Sequence, residues 1–105
     1  MEREEFIKKC DDVQNHWKDI MPMMFMEEAG EAIQAISKYE RTVFVPIEDY
    51  SIRKERCEAA EKGLIDELGD MYISLVAITI QYSNIIDDFY EKLETRIETK
   101  LNKKY

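Results

Sequence analysis

The chain has 105 residues, 23 acidic against 15 basic, for a net charge of −8. That length gives one domain, residues 1–105, with a modest core. The acidic balance argues against nucleic acid as the main partner, because a phosphate backbone needs a basic face, but leaves room for one small phosphorylated ligand whose charge metal ions offset. Three glycines and two prolines among abundant Glu, Lys, Ile and Met favour long helices and few turns. Cys10 and Cys57 form no CxxC and no Cys/His cluster, so a zinc site is not expected and two reduced thiols are the simpler reading. The charged opening "MEREEFIKK" is not a signal peptide. The longest apolar run falls short of the roughly 20 residues that cross a bilayer. A soluble, cytoplasmic protein with no membrane partner is expected.

Four helices can be drawn. The first runs from about Glu2 to Lys18, with Phe6, Cys10, Val13 and Trp17 spaced as one buried stripe. The second starts near Pro22, a residue suited to a first helical turn, and reaches about Arg41. "TVFVPIEDY" then reads as an ordered or strand-like loop, with β-branched residues around Pro46. The third runs from Ser51 to about Tyr82, with Gly63 as a weak point costing about 1 kcal/mol relative to alanine. Ser83-Asn84 offers an N-cap for the fourth, with Asp87 and Asp88 in its first turn and Ile86, Phe89, Leu93, Ile97 and Leu101 as its apolar positions. The short connection makes helices three and four antiparallel neighbours. The expected fold class is all-α, a bundle of about four helices.

The acids carry the chemistry. With Glu27 as zero at about 100° per residue, Glu28 lies near 100°, Glu31 near 40°, Gln34 near −20° and Lys38 near 20°. The opposite side, with Phe25, Met26, Ala29, Ile33 and Ile36, is the expected core face. On its own this is an ordinary amphipathic helix with a solvated acidic stripe. The third helix is different. From Met71 to Ile80 only Ser74 and Thr79 are polar, so burial on all sides is expected, yet Glu67 and Asp70 head that stretch on one side. Carboxylates near such surroundings need compensation. The nearest basic residues, Lys62 and Arg56, are read as falling on other parts of the wheel. Glu28/Glu31 and Glu67/Asp70, three apart on each of two helices, could surround a shared divalent cation. All-oxygen ligands suit Mg²⁺ or Mn²⁺ rather than zinc or a di-iron centre.

"EEAGE" (Glu27 to Glu31) followed by "ELGD" (Glu67 to Asp70) resembles the EExxE…ExxD signature of the MazG-like, all-α nucleoside triphosphate pyrophosphohydrolases. The resemblance covers most of the chain, from about Trp17 to Lys104. It departs in a longer gap between the halves, through "TVFVPIEDYSIRKER". It implies Mg²⁺ held by Glu28, Glu31, Glu67 and Asp70, and cleavage between the α and β phosphates. Glu27 would orient or deprotonate the attacking water. The family also implies a homodimer or homotetramer with substrate near a subunit boundary.

Other residues are substrate-contact candidates, each beside a plainer reading. Lys38 could contact phosphate or be an exposed lysine. Trp17 could stack on a base and His16 bond its edge; core packing and a surface position are the plainer readings. The terminal "KLNKKY" resembles the family's basic tail, but an arginine expected nearby is missing. Lys100, Asn102 and Lys103 are therefore read first as compensating the helix dipole. Besides a pyrophosphohydrolase of nucleotide-pool house-cleaning, three readings stay open: phosphoribosyl-ATP pyrophosphohydrolase, a non-catalytic helical module that oligomerises or binds nucleotide, and a simple bundle with solvated acids.

Overall fold

The computed structural model describes residues 1–44, 49–86 and 88–103. The order is α1 (Arg3–Trp17), a 3₁₀ turn (Lys18–Ile20), α2 (Met21–Phe44), α3 (Tyr50–Ser83) and α4 (Phe89–Asn102), with no strand among the described residues. The protein is all-α.

Local chemistry explains several boundaries. Glu4 and Glu5 sit in the first turn of α1 where the dipole favours acids, and Glu5 pairs with Lys9 one turn on at 3.3 Å. The helix stops at Lys18, whose φ of 47° leaves the helical region. Pro22 stands in the first turn of α2, as expected, where its missing N–H costs nothing. Asp49 caps α3, its carboxylate accepting from the amides of Ser51 at 2.8 Å and Ile52 at 3.2 Å. The Arg53 guanidinium donates to the Val43 carbonyl at 2.7 Å, tying the end of α2 to the start of α3.

The strand-like reading of 42–50 is corrected at its ends. Thr42, Val43 and Phe44 continue α2, and Tyr50 already begins α3; residues 45–48 lie outside the described residues. The Thr42 hydroxyl donates to the Lys38 carbonyl at 2.7 Å, so the β-branched residue is accommodated within the helix.

α3 is the spine. α2 packs along it antiparallel, Met21 and Met24 meeting Ala77 and Ile78 while Lys38 lies opposite Ala59 and Ala60. α1 runs with the C-terminal half of α3, where the Phe6 and Tyr72 rings stack at 5.5 Å. All three helices meet at a small core of Met21, Ala77 and Ile78 with Val13, Met24 and Phe25 against it.

Several burial expectations are overturned. On α2, the face toward α3 carries Met21, Glu28, Ala32 and Ala35, while Met26 and Ile33 are 63% and 66% exposed and Ile36 is exposed too. The reason is steric, because alanines let two helix axes approach where a stripe of isoleucine and methionine would hold them apart. The run 71–80 is not enclosed either, since Tyr72, Ile73 and Leu75 are exposed. Cys10 is buried in the α1 stripe, but Trp17 is exposed rather than core. Ser83-Asn84 closes α3, the Asn84 amide donating to Ile80, instead of capping the next helix. Asp88 stands at the N-cap of α4 with a left-handed φ of 60°, and Asp87 lies outside the described residues.

No residue of α4 is buried, and α4 forms no substantial packing interface with α3. The radius of gyration is 17.8 Å, against about 13 Å for a compact chain of this length. The closed bundle of four is therefore corrected to three packed helices with an open fourth.

Candidate metal centre

The α2–α3 seam is built from small residues, and the acids are part of it. On α3, Ala60, Glu67, Ser74 and Ile78 follow one another one or two helical turns apart along one face, and Ala60, Ser74 and Ile78 are buried. On α2, Glu28 stands on the line of Met21, Ala32 and Ala35. Both carboxylates therefore point into the joint between the helices, where Glu28 and Glu67 are each half-buried.

Glu28, Glu31 and Glu67 each offer one carboxylate oxygen, and the three lie within 4.8 Å of one another. The Oε2 atoms of Glu28 and Glu67 are buried without a hydrogen-bond partner. Burial, and then the charges of Asp70, Glu31, Glu67 and Glu27, push the Glu28 carboxyl above its ordinary range. Burial likewise raises Glu67, followed by the charge of Glu31, a side-chain hydrogen bond with Glu31, and the charges of Asp70 and Asp66. Two orphaned oxygens in an electronegative cluster fit a hard divalent cation, which would satisfy them and relieve the repulsion together.

Not every expected ligand joins. Asp70 is exposed and outside the trio, although its charge is felt at Glu28. Glu27 is exposed next to the trio and acts on Glu28 in the same way.

A groove of about 270 Å³ opens from the trio, lined by Glu31 and Glu67 at one end and by Gln34 and Lys38 toward the other. Its walls between are Ala35, Ala59, Ala60, Gly63 and Leu64. Lys38 thus lines the same groove as Glu31 and Glu67. His16 and Trp17 are exposed at the end of α1, their rings edge to face at 5.0 Å, and do not line the groove. Lys100, Asn102 and Lys103 belong to the end of α4, also outside it.

Two features of the seam escape a reading of the acids alone. Gly63 is a groove residue, and a Cβ built there meets nothing within 4 Å, so no packing within the chain demands glycine. The signal was its spacing, since Gly63 and Ala60 fall one and two turns before Glu67 on the same side. Arg56 is the other. Eleven residues are about three whole turns, so Arg56 shares the Glu67 face and its placement elsewhere on the wheel is corrected. It stands three turns away and exposed, too far to be the missing counter-charge.

No family model, curated protein or solved structure matches the chain. Among the described residues, no helix is long and apolar enough to cross a membrane.

Proposed function

We propose that the chain is a Mg²⁺-dependent nucleoside triphosphate pyrophosphohydrolase of the MazG-like type, converting a (deoxy)nucleoside triphosphate and water to the monophosphate and pyrophosphate. One observation carries the reading. Glu28, Glu31 and Glu67, from the two halves of the EExxE…ExxD pattern, converge within 4.8 Å and leave two buried oxygens unpartnered.

In this reading Glu28, Glu31 and Glu67 hold the metal, with Asp70 completing the set from the next turn of α3. Mn²⁺ would substitute. When bound, the metal would supply charge neutralisation for the triphosphate and would make a nearby water more acidic. Glu27 orients the attacking water and takes its proton as the new oxygen–phosphorus bond forms at the α-phosphate and the α–β bridge breaks. Lys38 provides the cation of the groove. The exposed apolar faces of α2 and α4 support assembly into a homodimer or homotetramer, with a cytoplasmic house-cleaning role on the nucleotide pool.

The test is a panel of common NTPs and dNTPs, with dUTP, incubated with and without Mg²⁺ and analysed for products. Monophosphate and pyrophosphate appearing only with metal is the expected result. Silence across the panel, with a metal-dependent rise in melting temperature, would move the reading to phosphoribosyl-ATP, a modified nucleotide, or a binding module that keeps its metal site.

A further inference from the structure

The groove between α2 and α3 changes character along its length, and that gradient says which part of a triphosphate it holds. At one end stand Glu31 and Glu67 of the metal trio. Seven residues along α2, a rise of about 10 Å, stands Lys38, the one basic residue lining the groove among the described residues. Helical side chains lean toward the helix N-terminus, so Lys38 on α2 leans back along the groove toward the acids. Gln34 stands between, one turn before Lys38, with an amide that can donate. The other side of the channel is Ala59, Ala60, Gly63 and Leu64, of which the first three present nothing larger than a methyl group.

In the other direction along the seam the trio gives way to apolar packing, Met24 and Phe25 against Ala77 and Ile78. Among the described residues, a polyanion anchored by metal at the trio therefore meets the cation of the groove on the Lys38 side.

Resting on the reading of the trio as a metal site, we infer that this groove is the seat of the leaving group. The β and γ phosphates lie along it toward Lys38 and Gln34, and the nucleoside points away from it. Lys38 is a charge-assisted donor to the terminal phosphate. Gly63 keeps the channel open, which accounts for a residue that weakens α3 and that no neighbour requires.

The experiment uses inorganic pyrophosphate as the probe and thermal melting as the readout, with Mg²⁺ alone and with Mg²⁺ plus pyrophosphate. The wild type, Lys38→Met, Gly63→Leu and the control Lys62→Met are compared; Lys62 lines a separate shallow patch with Glu58, Glu61 and Ile65. Mg²⁺ alone is expected to raise the melting temperature of all four. Pyrophosphate is expected to add a further rise in the wild type and Lys62→Met, while its affinity falls roughly tenfold or more in Lys38→Met and Gly63→Leu. A metal shift with a pyrophosphate increment unchanged in Lys38→Met overturns the inference and leaves the metal site standing. A metal shift with no pyrophosphate increment in the wild type overturns it equally. No metal shift in any protein removes the reading of the trio itself.

Discussion

Gln81 on α3 donates from its side-chain amide to the carbonyl oxygen of Lys18 at 2.7 Å, joining residues 63 positions apart. The bond holds the corner where α1 turns into α2. Lys18 has φ 47° and ψ −116° there, a conformation that glycine adopts freely and lysine does not. Lys18→Gly should therefore stabilise the protein by roughly 1 kcal/mol, seen as a rise of several degrees in melting temperature. Gln81→Leu should lower stability by about 1 kcal/mol or less, because the bond is exposed. A fall in Lys18→Gly would mean that the corner is not held as described.

Glu28→Gln and Glu67→Gln separate fold from site. Each removes a carboxylate whose Oε2 is buried and unpartnered. The metal-free variants should melt at or above the wild-type temperature. Their response to Mg²⁺ should weaken by roughly an order of magnitude or more, since ligand charge sets affinity at oxygen sites. Calorimetric titration with Mg²⁺ or Mn²⁺ checks the second part, and an unchanged affinity in either variant would remove that residue from the ligand set.

The pH dependence follows from the same two groups. Both carboxyls are raised above the ordinary value of 4.5 in the folded state. A raised carboxyl stabilises the fold while both states are protonated, and that contribution is lost as pH climbs through the raised values. The metal-free protein should thus lose this stability as pH rises from the ordinary carboxylate range. With saturating Mg²⁺ the slope from these groups should reverse, because only the ionised carboxylates bind metal. Melting curves across that range, with chelator and with metal, give the two slopes, and parallel curves would contradict the site.

Ile33 is 66% exposed and Met26 63% exposed, on the side of α2 away from α3. If that face meets a second copy, Ile33→Glu should shift the protein toward monomer in sedimentation velocity at micromolar concentration, with little effect on the melting of the packed helices. A sedimentation profile identical to wild type would place any assembly on another surface.

Element type was legible for all four helices because the apolar positions recur at helical spacing and turn-forming residues are few. The closeness of Glu28, Glu31 and Glu67 was legible too, since residues three apart on a helix share a side, but Asp70, expected with them, stands outside the cluster. The direction each helix faces was not. Periodicity separates Glu28 and Ala32 from Met26 and Ile33, but it does not say which side meets α3. Hydrophobicity was right for Phe25, which packs against the core, and wrong for Met26, Ile33 and Ile36, because along Ala32, Ala35 and Ala60 the seam works by closeness of approach rather than apolar area. The same bias hid Gly63, which reads as a helix defect until the groove beside it is seen. At the fourth helix a tidy capping pattern at Ser83-Asn84 misled because those residues satisfy the last carbonyls of α3.

α4 has 14 residues and buries none of them, about the length at which a helix by itself is only marginally formed in water. Its backbone amides should then exchange deuterium far sooner than those of α3 around Ser74 to Ile78. In a concentrated sample that contrast should shrink if α4 docks on a second copy, making the exchange rate of a single segment a gauge of assembly.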